Sequence, residues 1–134
     1  MSAQENVALI QKTYAAFMRG DAAGILEFLS EDVDWGIEAQ DASVPWYGTG
    51  KGKAFALKFF QSLGQAVEFS RFEPSGYLSS DDAVSCLISY DSTVKKNGRK
   101  QSMNGIHHFT IKNGRISRWR GFEDTALVIA NLAG

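Results

Sequence analysis

The order of elements along the chain predicts an α+β fold. Apolar residues recur at helical spacing through the first half, alternate with a period of two from Val67 onward, and the second half is punctuated by Asn97-Gly98 and Asn113-Gly114. Helices first and strands after separates the two structure types, and Asn-Gly between alternating runs folds the strands into an antiparallel meander because both residues tolerate positive φ. No repeat, low-complexity tract or linker interrupts the 134 residues, so residues 1–134 are expected to form one domain around one core.

Taken in order, Ser2-x-x-Glu5 reads as a capping box, and Val7, Ile10, Tyr14 and Phe17 place an apolar stripe on a helix that Gly20 ends. Asp21 caps a second short helix carrying Ile25, Leu26 and Leu29. Val33, Trp35 and Ile37 alternate with Asp34 and Gly36, the signature of a strand with one buried face. A loop runs from Gln40 to Gly52. A third helix then presents Phe55, Phe59, Phe60 and Leu63 and is expected to stop at Gly64. Four long strands follow, through Phe69, Tyr90, Ile111 and Trp119.

The turns predict register. A two-residue Asn97-Gly98 turn pairs Lys96 with Arg99 and sets Ile88 opposite His107, which then points inward while His108 points outward. For the next hairpin, a tight Asn113-Gly114 turn sets His107 opposite Arg120. A three-residue loop with a bulge at Gly114 sets it opposite Trp119. The bulged form is favoured because it encloses Trp119 rather than Arg118 and Arg120, and unpaired buried arginines are costly.

Composition excludes several function classes. Lys+Arg 14 against Asp+Glu 15 gives a net charge of -1, so nucleic acid is not an expected partner. No apolar run approaches the roughly 20 residues of a membrane span. Met1 to Asn6 has neither a basic nor an apolar leader segment, Cys86 is a lone cysteine, and no Asn-x-Ser/Thr site occurs, so a cytoplasmic location is expected. The run Gly48-x-Gly50-x-Gly52-Lys53 departs from a phosphate loop at Tyr47 and Ala54 and from a dinucleotide fingerprint at Lys53, so it reads as a turn before a helix. His107 and His108 face opposite sides and Cys86 lies alone, so no metal is expected.

Several motifs in this order resemble the SnoaL-like and ketosteroid-isomerase-like branch of the NTF2-like superfamily over nearly the whole chain. They are Tyr14-Ala-Ala-Phe17 running into Gly20-Asp21, Asp32-Val33-Asp34-Trp35, Pro45-Trp46-Tyr47-Gly48-Thr49-Gly50-Lys51-Gly52, Ile106-His107-His108-Phe109, and Arg118-Trp119-Arg120-Gly121-Phe122-Glu123-Asp124. The resemblance implies a cone, a curved antiparallel or mixed sheet wrapped around three helices, with an apolar pocket inside and a homodimer through the sheet. It implies cofactor-free acid-base chemistry on a small hydrophobic molecule. Where ketosteroid isomerases carry an Asp in Ile-Asp-His-Phe, this chain has His107. Their oxyanion tyrosine falls on Thr13, leaving Tyr14 about 100° around the helix. Their general-base Asp aligns near Ile37, with Glu38 the nearest carboxylate, and the Arg-x-Asp pair of limonene-epoxide hydrolases is missing at Gly105-Ile106-His107. Neither of those specific activities is expected.

Two functions follow as expectations. In the first the protein is a small-molecule enzyme of isomerase, cyclase or hydrolase type. His107 is its acid-base group or oxyanion donor, because imidazole both donates and accepts near neutrality, and Glu38 is its partner. Tyr14, Phe17, Trp35, Trp46, Phe59, Ile88, Phe109 and Trp119 would line a pocket of roughly a few hundred Å³. In the alternative the domain is noncatalytic and only binds a ligand or serves as a scaffold. In either case Ser85, Leu87, Ser89, Ile106, His108 and Thr110 alternate with the inward set and form the expected homodimer face.

Overall fold

The computed structural model describes residues 1–134. Helix α1 (Ala3–Met18) starts at the expected capping box, with the Glu5 amide donating to the Ser2 hydroxyl and the Ser2 amide to the Glu5 carboxylate. It ends at Gly20, whose φ of +71° suits a residue without a Cβ. Asp21 caps α2 (Ala22–Leu26) by accepting from the Gly24 amide. That helix is shorter than expected, because Leu29 already belongs to β1 (Leu29–Ile37).

Strand β2 (Gly48–Lys51) forms inside the segment expected to be loop, pairing antiparallel with β1. Helix α3 (Lys53–Ala66) passes through Gly64 instead of stopping there. It is followed by β3 (Val67–Ser79), β4 (Ala83–Val94), β5 (Lys100–Lys112), β6 (Arg115–Phe122) and a fourth helix, α4 (Thr125–Ala133), beyond the expected elements. The fold is α+β, with one six-stranded mixed sheet in the order β2-β1-β6-β5-β4-β3, β1 and β6 running parallel. No helix is long and apolar enough to cross a membrane.

Both hairpin registers differ from expectation. The β4–β5 connection is five residues long, Lys95 to Arg99, closed by the Gly98 amide on the Val94 carbonyl, and it sets Cys86, not Ile88, opposite His107. A shift of two keeps every side chain on its face, so His107 still points inward. In the second hairpin Asn113 (φ 53°) and Gly114 (φ 73°) make the tight turn, pairing Lys112 with Arg115. A bulge at Ser117 then advances the ladder, so Phe109 faces Trp119 and His107 faces Gly121. Trp119 is enclosed as expected, by a different device. Arg120 is also buried, on the other side of the sheet, where Asp34 and Glu38 neutralise it. A buried arginine is tolerable there because it is paired.

The core joins the inner sheet face to α1 and α3, with Ile10, Val33, Ile88, Phe109 and Ile116 almost wholly buried. A second bulge, at Ser70, turns Phe69 and Phe72 to the same side of β3 although they are three residues apart. Both rings thereby reach Phe17 on α1, at 5.5 and 5.0 Å between centroids.

Candidate active site

Between the helices and the concave sheet lies a cavity of about 80 Å³, mostly apolar in its walls. It is smaller than expected because aromatic rings occupy the cone. Trp35 stacks on Trp119 at 4.6 Å, Phe59 meets Trp119 edge-on at 5.3 Å, and Phe60 tilts against Trp35 at 5.4 Å. Gly121 makes room for this packing: a Cβ there would stand 2.7 Å from the Trp119 ring. The Trp35 indole N–H, also buried, has no hydrogen-bond partner.

Two polar centres face this apolar space. The first begins with His107 on β5. Its Nδ1 lies 2.7 Å from the Tyr14 hydroxyl, which is 3.2 Å from the Cys86 thiol on the neighbouring strand. Nε2 has no protein partner, and the residue lines the cavity. Burial pushes the His107 pKa down to about 3, so the ring is neutral at physiological pH. Burial raises the Tyr14 and Cys86 pKa values too, keeping that chain of groups uncharged.

The second centre is Glu123, just beyond β6 and two residues past the Gly121 that faces His107. Tyr47 donates to one carboxylate oxygen at 2.7 Å and Tyr90 to the other at 3.3 Å. Burial raises the Glu123 pKa above the ordinary carboxylate value. The two tyrosine hydrogen bonds oppose that rise, and neighbouring Asp124 adds to it. A carboxyl so placed exchanges a proton nearer to neutral pH than a solvated one. The structure contains no group of three or more His, Cys, Asp or Glu side chains arranged to hold a metal ion.

A family model for the SnoaL-like domain matches residues 10–119. The chain belongs to the SnoaL-like family. Its NTF2-like fold is shared with a protein of unknown function from Burkholderia pseudomallei K96243, 26% identical, with both chains covered in full and a TM-score of 0.90. A second NTF2-like protein, from Burkholderia xenovorans LB400, is also 26% identical, with 98% of each chain covered and a TM-score of 0.86. A protein from Xanthomonas campestris pv. campestris, named as a candidate polyketide cyclase, is 21% identical over 98% of this chain and 99% of its own, with a TM-score of 0.78. No curated protein matches in sequence.

In this SnoaL-like domain, Tyr14, Phe17, Trp35, Trp46, Phe59, Phe109 and Trp119 line the cavity together with His107. Ile88 is buried but does not line it. Glu38 is a correction. Val33, Trp35 and Ile37 point inward, so Glu38 shares the outward parity of Asp34 and accepts from Arg120 Nε at 3.0 Å, with Arg118 at 3.7 Å. The carboxyl that does line the cavity is Glu123, and the same parity finds it: Trp119 is enclosed, so positions 121 and 123 follow on its side.

Proposed function

We propose that this SnoaL-like domain moves a proton at a carbon next to a carbonyl of a small hydrophobic molecule, with Glu123 as the base and His107 as the oxyanion donor. The observation that carries this reading is a half-buried carboxyl, its pKa raised by desolvation, lining the same cavity as a neutral histidine whose Nε2 is free. With a pKa of about 3, His107 is a poor proton carrier at pH 7 and serves instead as a hydrogen-bonding group. In this reading Nδ1 accepts from the Tyr14 hydroxyl 2.7 Å away, which leaves the hydrogen on Nε2 to point at the substrate. The Glu123 carboxylate takes the proton as the C–H bond breaks, and the negative charge moves to the carbonyl oxygen, which accepts from Nε2–H. Returning the proton to another carbon gives an isomerase. Attack of the enolate carbon on a second carbonyl gives a cyclase, the class named for the Xanthomonas neighbour. The scaffold alternative draws support from the small volume of the cavity, and the same experiment separates the two.

In heavy water, an unconjugated cyclohexenone should gain deuterium beside its carbonyl faster with the protein than without. Glu123→Gln should cut that acceleration by about two to four powers of ten, and His107→Asn by about two to three. Exchange at the uncatalysed rate with the wild type overturns the enzyme reading in favour of the noncatalytic domain. We propose the outward sheet face, where Leu87 and Ile106 stand directly opposite each other, as the contact of a homodimer.

A further inference from the structure

Trp35 brings to the cavity wall a polar group that the proposed chemistry does not use. Of the three indole N–H groups, only that of Trp35 is both sealed from water and without a partner. Strand parity puts Trp35 on the inner face of β1, and the residue is 3% exposed and lines the cavity. Its ring is packed by other rings: it stacks on Trp119 at 4.6 Å, and Phe60 and Phe59 lie at 5.4 and 6.0 Å. None of these side chains carries an acceptor atom.

Acceptors in the same cavity wall are engaged elsewhere. Glu123 accepts from Tyr47 and Tyr90, the Ser92 hydroxyl from the Gln101 amide at 3.2 Å, and the Gln101 carbonyl from Asn131 at 2.9 Å, while His107 Nδ1 lies 2.7 Å from the Tyr14 hydroxyl. Nothing in the folded chain serves the Trp35 N–H. A donor desolvated without a bond destabilises the fold, and native interiors contain few of them. A phenylalanine at position 35, like those at 59 and 60, would supply an apolar ring without that cost.

We infer that Trp35 is a specificity-determining residue whose Nε1–H donates to a second oxygen of the substrate. The inference rests on the proposed chemistry for the first oxygen, the carbonyl held by His107, and on the unpartnered N–H for the second. Trp119 lies between the two donors, its ring centroid 5.0 Å from that of His107 and 4.6 Å from that of Trp35, so a substrate bonded to both carries its oxygens about one ring apart. A cavity of about 80 Å³, well below the roughly 300 to 1,000 Å³ of most ligand pockets, takes a compact molecule, and its apolar walls disfavour a charged one. The class that meets these demands is an uncharged single-ring compound with two oxygens across the ring, a cyclic dione or hydroxyketone. Rotation of the half-buried Phe60 ring opens the N–H to the ligand by side-chain motion alone. With both oxygens bonded, the carbon beside the carbonyl meets Glu123 in one orientation.

Cyclohexane-1,4-dione and cyclohexanone differ by one oxygen and are the probes. Nitrogen–proton correlation NMR reads the indole signals, with that of Trp35 assigned through its contacts with Phe59 and Phe60. In the free protein the Trp35 indole proton should resonate upfield of hydrogen-bonded indoles. The dione should move it downfield, and cyclohexanone should leave it in place. Titration should give the dione a Kd advantage over cyclohexanone that falls at least about fivefold in Trp35→Phe. The shift is read on the wild type and stands even where Trp35→Phe fails to fold. An indole proton already downfield in the free protein, one unmoved by the dione or moved equally by cyclohexanone, no binding of either probe, or a Kd ratio unchanged in the folded variant overturns Trp35 as the donor and leaves the deuterium exchange result standing. A downfield shift with the dione alone, together with no exchange in the wild type, keeps Trp35 as a donor and removes the proposed chemistry.

Discussion

Tyr14 and His107 meet across the core, the hydroxyl 2.7 Å from Nδ1 and the ring centroids 5.8 Å apart at 29°. Helix α1 and strand β5 are thereby joined by a polar contact inside an otherwise apolar interior, with Cys86 completing the chain. Tyr14→Phe keeps the ring packing against Phe72 and Phe109 but strips the hydroxyl from both partners. The expected loss is about 1–3 kcal/mol, since Nδ1 is left buried without its bond. Urea unfolding measures that cost. Nitrogen NMR of His107 should show the two tautomers mixing in the variant, where the wild type holds one; an unchanged tautomer ratio would contradict the assigned role of Tyr14.

Acid should destabilise the protein through His107. The folded pKa is about 3 and the unfolded imidazole returns to about 6.5, so between those values the unfolded chain binds the extra proton. Stability from this residue is complete above about pH 6.5 and falls toward pH 3, by at most about 1.4 kcal/mol per pH unit. Asp91, held down to about 2 chiefly by its hydrogen bond from Arg71, acts in the same direction in wild type and variant alike. Urea midpoints measured from pH 7 to pH 4 should therefore fall more steeply for the wild type than for His107→Asn. Parallel curves would show that His107 is not desolvated as described.

Strand parity makes much of this site legible in the sequence, and it also separates the outward Glu38 from the inward Glu123. Alternation places His107, Phe109 and Trp119 inside, where they line the cavity, and the two-residue difference in hairpin register leaves this unchanged because a shift of two preserves faces. Glu38 is the carboxylate nearest the family's general-base position at Ile37, but Val33, Trp35 and Ile37 mark its parity as outward. Glu123 shares the inward parity of Trp119 and lines the same cavity. What no local pattern carries is the Ser117 bulge, which sets Gly121 opposite His107, and the Ser70 bulge, which gathers Phe69 and Phe72. A bulge is decided by the fit of a curved sheet over its helices, a long-range balance with no fixed residue signature here. Burial of Arg120 is similar, since it depends on two carboxylates brought from β1 and the segment after it.

Glu123 should set the pH dependence of exchange. Proton removal needs the carboxylate, so the rate should rise with pH through the Glu123 pKa, which burial lifts above 4.5, and then level off. Tyr47→Phe removes a hydrogen bond that favours the charged form, and should move that inflection further upward. Glu123→Gln should flatten the profile. An inflection that ignored Tyr47→Phe would place the titrating group elsewhere.

The outer sheet face yields the final prediction. Leu87 on β4 stands opposite Ile106 on β5, which stands opposite Phe122 on β6, forming one apolar row across three strands. All three are exposed, at 53%, 46% and 53%. Scattered apolar side chains on a surface need no explanation, but three in register make a contiguous ridge that water covers unfavourably. A two-fold axis through the row would lay it against its own copy, with the His108–Ser85 pair alongside. Because the row is exposed within one subunit, Leu87→Glu with Ile106→Glu should leave monomer folding nearly intact and place like charges at the contact. Sedimentation velocity should give a dimer for the wild type and a monomer for the double variant, with circular dichroism unchanged. A wild type that sediments as a monomer at tens of micromolar would remove the assignment.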